Sequence, residues 1–399
     1  MMLPDTQRNR NDSLDTEEPL EGPCTSKYPV LTLPNEIVSE IFVRYLPPEP
    51  VGTPWVGDLS PTLLGQICRQ WRAIAFATPQ LWSTLVFVSR DAKRIPPDVQ
   101  VLMVNTWLKR SGGYPLTILI NDYYGQLNLS GIISAIVPHC ARWEDVTFVV
   151  PAPFIDAVTG AMPMLRSLGL TLASSPVITA LPIPSTAFFA TNVPELRVLQ
   201  INYVTLLLFE LPWTQLSSLT MRTVEPEQCC AVLQQMPQLV YCSLTLWTTE
   251  LEVYEGSEIK LPCLESLVFI CHKVPPVLAF LTSFLVPALR KLEISELLLG
   301  ESPIASLESF IKKSSCKLQE LVITERQFLV SVPWESYEAA FPSIPKLSRV
   351  FAEDSDEDEY GSESGTGSDS QTDSDSGFEW DSEGASESGS ESEDMHELD

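Results

Sequence analysis

The chain alternates short apolar runs with proline-led breaks, and the runs follow two different periods. Between residues 33 and 82 the period is helical. Ile37, Val38, Ile41, Phe42 and Tyr45 fall at i, i+1, i+4, i+5 and i+8 and make one apolar stripe. Pro34 suits a first helical turn, where its missing N–H would be unpaired anyway. Asn35 and Glu36 put polarity at the positive end of the helix dipole. Pro47-Pro48 stops this helix. Ser60-Pro61 then reads as a cap followed by proline at the first helical position. Leu63, Leu64, Ile67, Cys68 and Trp71, continued by Ile74 and Ala75, predict one second helix. Thr78-Pro79 restarts the chain into Leu81-Trp82. A capped helix is predicted from Asp98 to Arg110, ending at Ser111-Gly112-Gly113, and Leu116-Ile118-Ile120 alternates as a strand.

Further along, the pattern repeats. Eight runs share the form L-x-x-L-x-L, from Leu165-Leu168-Leu170 to Leu347-Val350-Ala352, with first positions 20 to 31 residues apart. Most begin just after a proline, the last after Pro345, and Trp143-Val146-Phe148 is an earlier relative. Helical stripes lie between them: Leu129 to Val137; Cys230, Leu233 and Met236; Leu278, Leu281 and Leu285; Ile304 to Ile311. One strand and one helix per repeat predicts a leucine-rich solenoid. Each strand–helix pair cannot bury its apolar side alone, and stacking neighbours makes one core and an open, concave sheet. The spacing is irregular and lacks an Asn ladder, so the repeats are degenerate. The competing reading is a globular α/β domain whose buried parallel strands match the pattern. Either way the fold class is α/β.

Side chains alternate across a strand, so the neighbours of the pattern residues face out. Gln200, Asn202, Thr220, Arg222, Tyr241, Ser243, Lys291 and Glu293 are therefore the candidate target-binding set. The set is mixed in charge and rich in hydroxyls. It suits a protein or peptide better than nucleic acid, which needs a clustered basic stripe.

The run Leu33-Pro34-x-x-Ile37-Val38-x-x-Ile41-Phe42, then Ile67-Cys68-Arg69-x-Trp71-Arg72, then Thr78-Pro79-x-Leu81-Trp82, resembles an F-box. The resemblance covers about fifty residues. It implies docking on the Skp-type adaptor, and through it a cullin, of a Skp–cullin–F-box ubiquitin ligase. Carried over by position, Leu33, Pro34, Ile37, Val38, Ile41, Phe42, Ile67, Cys68 and Trp71 would face the adaptor or brace that face. The link from Pro47 to Leu59 is longer than is usual in the family, which bears on whether the module still docks. The repeats behind it resemble those of leucine-rich-repeat F-box proteins, in which they recruit the ubiquitination target. The organisation read from the chain is a disordered N-terminus at 1–27, an F-box-like module at 28–90, a repeat solenoid at 91–352 and a disordered acidic tail at 353–399.

Charge sharpens this division. Residues 353–399 hold 19 Asp and Glu and no Lys or Arg, so of the net −27 only about −8 belongs to the body. A segment so poor in aliphatics cannot offset its chain entropy by burial. Ser355, Thr372, Ser388 and Ser390 each have an acidic residue three positions on, a spacing that resembles acidophilic kinase sites. The alternative to a ligase subunit is a scaffold whose solenoid and acidic tail bind a basic protein partner.

Catalytic motifs are sparse. His139-Cys140 and Cys271-His272 are isolated pairs without a second pair at metal spacing, and His396 stands alone. Cys229-Cys230 lacks a sequence cue for a base. No phosphate-cradling Gly loop, G-x-S-x-G or H-E-x-x-H occurs. The expectation is a non-enzyme with no cofactor, no metal and no nucleic-acid partner. There is no signal-peptide pattern at the N-terminus and no apolar run of membrane length, which predicts reduced cysteines and a cytoplasmic or nuclear location.

Overall fold

The computed structural model describes residues 33–46, 60–92, 95–172, 188, 191–202, 211–246, 257–271, 278–326 and 332–352. N-terminal helices come first: α1 (Asn35–Tyr45), α2 (Pro61–Ile67) and α3 (Arg69–Phe76). Pro34 precedes α1 in an extended conformation, and its carbonyl accepts from the N–H groups of Ile37 and Val38. Ser60 caps α2 as predicted, its side chain accepting from the Thr62 N–H at 3.2 Å.

The predicted second helix is in fact two. Cys68 is extended, with φ −155° and ψ 170°, and its Sγ accepts from the Trp71 N–H at 3.4 Å as the cap of α3. Arg72 Nε ties the break by donating to the Gly65 carbonyl at 2.6 Å. The turn at Cys68 brings Trp71 edge-on to Phe42, with ring centroids 4.9 Å apart. A straight helix has no such freedom, so tertiary packing overrides the apolar period here.

A short 3-10 turn, Pro79–Trp82, leads into β1 (Thr84–Val88). This strand lies inside the 28–90 segment that the sequence presents as helical. The remaining strands are β2 (Leu116–Asn121), β3 (Trp143–Val150), β4 (Ser167–Leu172), β5 (Val198–Asn202), β6 (Ser218–Val224), β7 (Tyr241–Leu246), β8 (Ile259–Lys260), β9 (Ser266–Cys271), β10 (Phe284–Leu285), β11 (Lys291–Ser295), β12 (Glu320–Arg326) and β13 (Lys346–Ala352). Eleven of them form one parallel sheet in chain order, and β8 pairs separately with β10. Leu285, read from sequence as helical, sits in that small pair, because the helix Leu278–Ser283 ends two residues earlier.

The crossovers carry the other helices. They are α4 (Ser89–Ala92), α5 (Pro97–Arg110), α6 (Leu129–Ile136), α7 (Ala152–Ile155) and the helices Pro226–Leu233, Leu278–Ser283, Pro303–Ser314 and Trp334–Ala340. The register aligns the pattern residues in rows, for instance Val146↔Leu168↔Leu199↔Leu219↔Cys242↔Leu267↔Leu292↔Leu321. All of these are buried. The last unit departs from the predicted triplet. Leu347 pairs with Leu321 and Arg349 with Ile323, so Ile344, Leu347 and Arg349 continue the inward rows by register, with Ile344 and Leu347 half-buried and Arg349 and Val350 exposed. The marking proline is Pro342, two residues before Ile344 as Pro163 is before Leu165, and not Pro345.

One apolar core runs without interruption from Val38 in α1 to Phe341 beyond the last helix. Trp82 joins the helices to the sheet. It is fully buried, its Nε1 donates to the Ala75 carbonyl at 2.8 Å, and its ring stands edge-on to Trp107 at 4.8 Å. Where α5 meets α6 the helices approach closely at Gly131, whose hypothetical Cβ would lie 2.5 Å from Val101 Cγ2. Alanine at a helical position ordinarily adds about 1 kcal/mol. Here overpacking against a stiff β-branched side chain costs about 1–3 kcal/mol. Gly131→Ala is therefore expected to lower the denaturation midpoint, and adding Val101→Ala to recover part of the loss.

Candidate functional site

In a helix, side chains at i and i+4 share a line, so the broad stripe of α1 contains two lines. The structure separates them. Val38 and Phe42 are 1% and 2% exposed and pack inward, Phe42 against Trp71. Ile37, Ile41 and Tyr45 are 49%, 46% and 40% exposed. Thr78 pins the helix in this rotation: its Oγ1 reaches Ser39 Oγ at 3.0 Å and donates to the Ile74 carbonyl at 2.8 Å. On the outer side Glu40 and Arg44 form an exposed i, i+4 ion pair, which adds little stability.

Ile67, at the end of α2, is 56% exposed. Pro34 is exposed, whereas Leu33, Cys68 and Trp71 are half-buried. Of the nine residues read as adaptor-facing or bracing, Pro34, Ile37, Ile41 and Ile67 face out. Val38 and Phe42 are core, and Leu33, Cys68 and Trp71 support the face from behind. The Trp71 Nε1 is buried without a hydrogen-bond partner, a cost of about 1–3 kcal/mol in the free chain. Two residues outside that set also offer apolar surface. Tyr45 was legible as the fifth member of the stripe. Phe76, with the Arg110 guanidinium 3.8 Å from its ring centroid, is exposed at the end of α3.

Residues 30–88 match the F-box-like family model. Domains of this kind generally bind Skp-type adaptors, so the segment is a protein–protein interaction module. The match ends at Val88, the last residue of β1, so this F-box-like domain includes the first strand of the sheet. No curated protein matches the chain. The Pro47–Leu59 link lies outside the described residues.

A second surface is the sheet face opposite the buried rows. The register brings all eight candidate target-binding residues to it. Gln200, Thr220 and Ser243 share one row, Asn202 and Arg222 another, and Tyr241 reaches Lys291 through Ser266. Gln200, Arg222 and Tyr241 are exposed, Asn202, Thr220, Lys291 and Glu293 half-buried. Ser243 is buried between Thr220 and Val268 and offers little surface. Lys291 and Lys346 flank Glu320 at 3.6 and 2.8 Å and lower its pKa.

Among the described residues no group of three or more His, Cys, Asp and Glu could hold a metal ion. No helix there is long and apolar enough to cross a membrane. Burial pushes the Cys229 and Cys242 thiols well up, away from thiolate chemistry. Burial and the Arg142 charge lower the His139 pKa. His272, His396 and the candidate phosphorylation residues Ser355, Thr372, Ser388 and Ser390 lie outside the described residues.

Proposed function

We propose that this protein is a non-catalytic substrate-recognition subunit of a Skp–cullin–F-box ubiquitin ligase, working in the cytoplasm or nucleus. The observation that carries the reading is the outer line of α1. Ile37, Ile41 and Tyr45 hold apolar surface in water while Val38 and Phe42, one residue further on, fill the core. A helix with a second apolar line facing out supports docking in the groove of another protein. That line sits in the domain whose family binds the Skp-type adaptor.

In this reading the parallel strands are degenerate leucine-rich repeats, and their outward face holds the target. The sequential strand order and the aligned leucine rows support it. The protein then acts by proximity, raising the concentration of a held target beside the ubiquitin-charged enzyme. The test is purification of the tagged full chain from cells, with the Skp-type adaptor and a cullin read out by mass spectrometry. Recovery of both supports the ligase reading, and recovery of neither removes it.

A second reading rests on the 19 acidic and no basic residues of 353–399, a polyanion suited to a basic protein partner. Salt separates the two. Binding through the tail is expected to weaken steeply between 0.1 and about 1 M salt, over which the Debye length falls from about 10 to 3 Å. It should also vanish on truncation after Ala352. Docking through α1 is expected to survive both changes.

A further inference from the structure

We propose that the docking surface for the Skp-type adaptor continues past the F-box-like domain onto α5, where Arg110 receives a carboxylate of the adaptor. The inference rests on the reading of that domain as an adaptor-binding module, and it adds a residue outside the matched segment 30–88.

Charge along the chain is the first observation. Residues 60–121 hold seven Lys and Arg against two Asp and Glu, in a protein with a net charge of −27. The structure gathers part of this charge on one side of α3. Side chains at i, i+3, i+4 and i+7 share a helix face. Arg69, Arg72, Ala73 and Phe76 have that spacing and are all exposed. Arg69 and Arg72 stand in the first turn of α3, at the positive end of the helix dipole, where cations lower helix stability. Their charge therefore does not serve the helix that carries it. Among the described residues Arg69, Arg72, Lys109, Arg110 and Arg142 have no Asp or Glu within ion-pair distance.

The way Arg110 is held is an independent observation. Its guanidinium lies 3.8 Å from the centroid of the Phe76 ring and 4.4 Å from that of Trp82, and the two rings stand edge-on 5.8 Å apart. Trp82 is fully buried and fixes the floor of this stack, whereas Phe76 is 41% exposed and opens it to solvent. Nearby arginines are already engaged. Arg72 Nε donates to the Gly65 carbonyl, and Arg142 donates to the Tyr114 carbonyl and the Ser111 hydroxyl. Arg110 makes no hydrogen bond among the described residues, so its N–H donors stay available. A cation also suits the last turn of α5, but Lys109 already supplies one there. A planar guanidinium stacked on rings is preorganised to give two parallel N–H bonds to a carboxylate. Because that stack joins α5 to Phe76, a partner seated on the exposed line of α3 reaches Arg110 at its end.

The experiment titrates the Skp-type adaptor into the full chain at 0.1 M salt, by calorimetry. Arg110→Gln is expected to weaken binding about tenfold, the scale of a charge-assisted hydrogen bond. Arg110→Lys should recover part of this, since it keeps the charge but not the paired donors. Each exposed Asp and Glu of the adaptor is then neutralised singly to Asn or Gln. One of these changes is expected to weaken the parent about tenfold and Arg110→Gln not at all. Any loss of folded chain in Arg110→Gln lowers binding to every adaptor variant by the same factor, so it cancels from this comparison. Binding of Arg110→Gln as tight as the parent's, or the absence of any coupled adaptor carboxylate, overturns the proposal and leaves adaptor docking standing. A parent chain that does not bind the adaptor at all overturns both.

Discussion

Ile37→Glu combined with Ile41→Glu is expected to abolish binding of the Skp-type adaptor while leaving the fold intact. Both side chains are about half exposed, so the free chain loses little by the change. Surface substitutions of this kind usually move stability by within about 0.5 kcal/mol. At an interface the same residues would be desolvated anchors. Truncating one such residue costs about 2 kcal/mol or more, and burying an unpaired carboxylate costs more still. Two together correspond to an affinity loss on the order of a thousandfold. The neighbouring pair gives the control. Val38→Ala with Phe42→Ala removes core volume behind the same helix and is expected to lower the unfolding midpoint itself. A titration monitored by calorimetry and a parallel denaturation curve separate the two outcomes.

Trp82→Ala carries the largest expected effect on stability. The substitution empties a site bounded by Trp107, Phe76 and the Arg110 guanidinium, and it removes the indole donor from the Ala75 carbonyl, which keeps a longer bond from the Thr78 N–H. A buried Trp→Ala costs about 3–5 kcal/mol, against a typical total of about 5–15. The direction of the loss is as informative as its size. Trp82 lies between α3 and β1 in a core continuous from Val38 to Phe341, within one compact unit. Hydrogen exchange is therefore expected to speed up in α1–α3 and in β1–β3 together. Exchange confined to the helices would mean that α1–α3 open independently of the sheet, β1 included.

Much of this architecture was legible in the chain. A proline two residues before an apolar triplet marked β4, β5, β7, β9 and β11, because the proline ends one connection and the triplet's inward residues stack in register on their neighbours. The rule slipped where two prolines compete. Pro345 hid the true start at Pro342, and β13 was read three residues late. β1 went unread as a strand because Leu85 and Phe87 alternate for only five residues directly after Trp82. The docking helix shows a different limit. Periodicity identifies apolar positions but not which half of a broad stripe faces the core. Val38 and Phe42 became core because Trp71 swings onto Phe42 after the break at Cys68, a long-range event that no local pattern records. Arg222 was legible as outward from strand alternation. The register slip that follows it, where Thr223 takes φ 57°, was not, since threonine carries no propensity for positive φ.

The central claim is that α1 docks on a Skp-type adaptor through its outer apolar line. The most direct measurement titrates purified adaptor into the full chain at 0.1 M and again at about 1 M salt. Saturable one-to-one binding at both concentrations, absent from the Ile37→Glu, Ile41→Glu chain, is the predicted result. No binding at either concentration, or binding indifferent to those two substitutions, would contradict it.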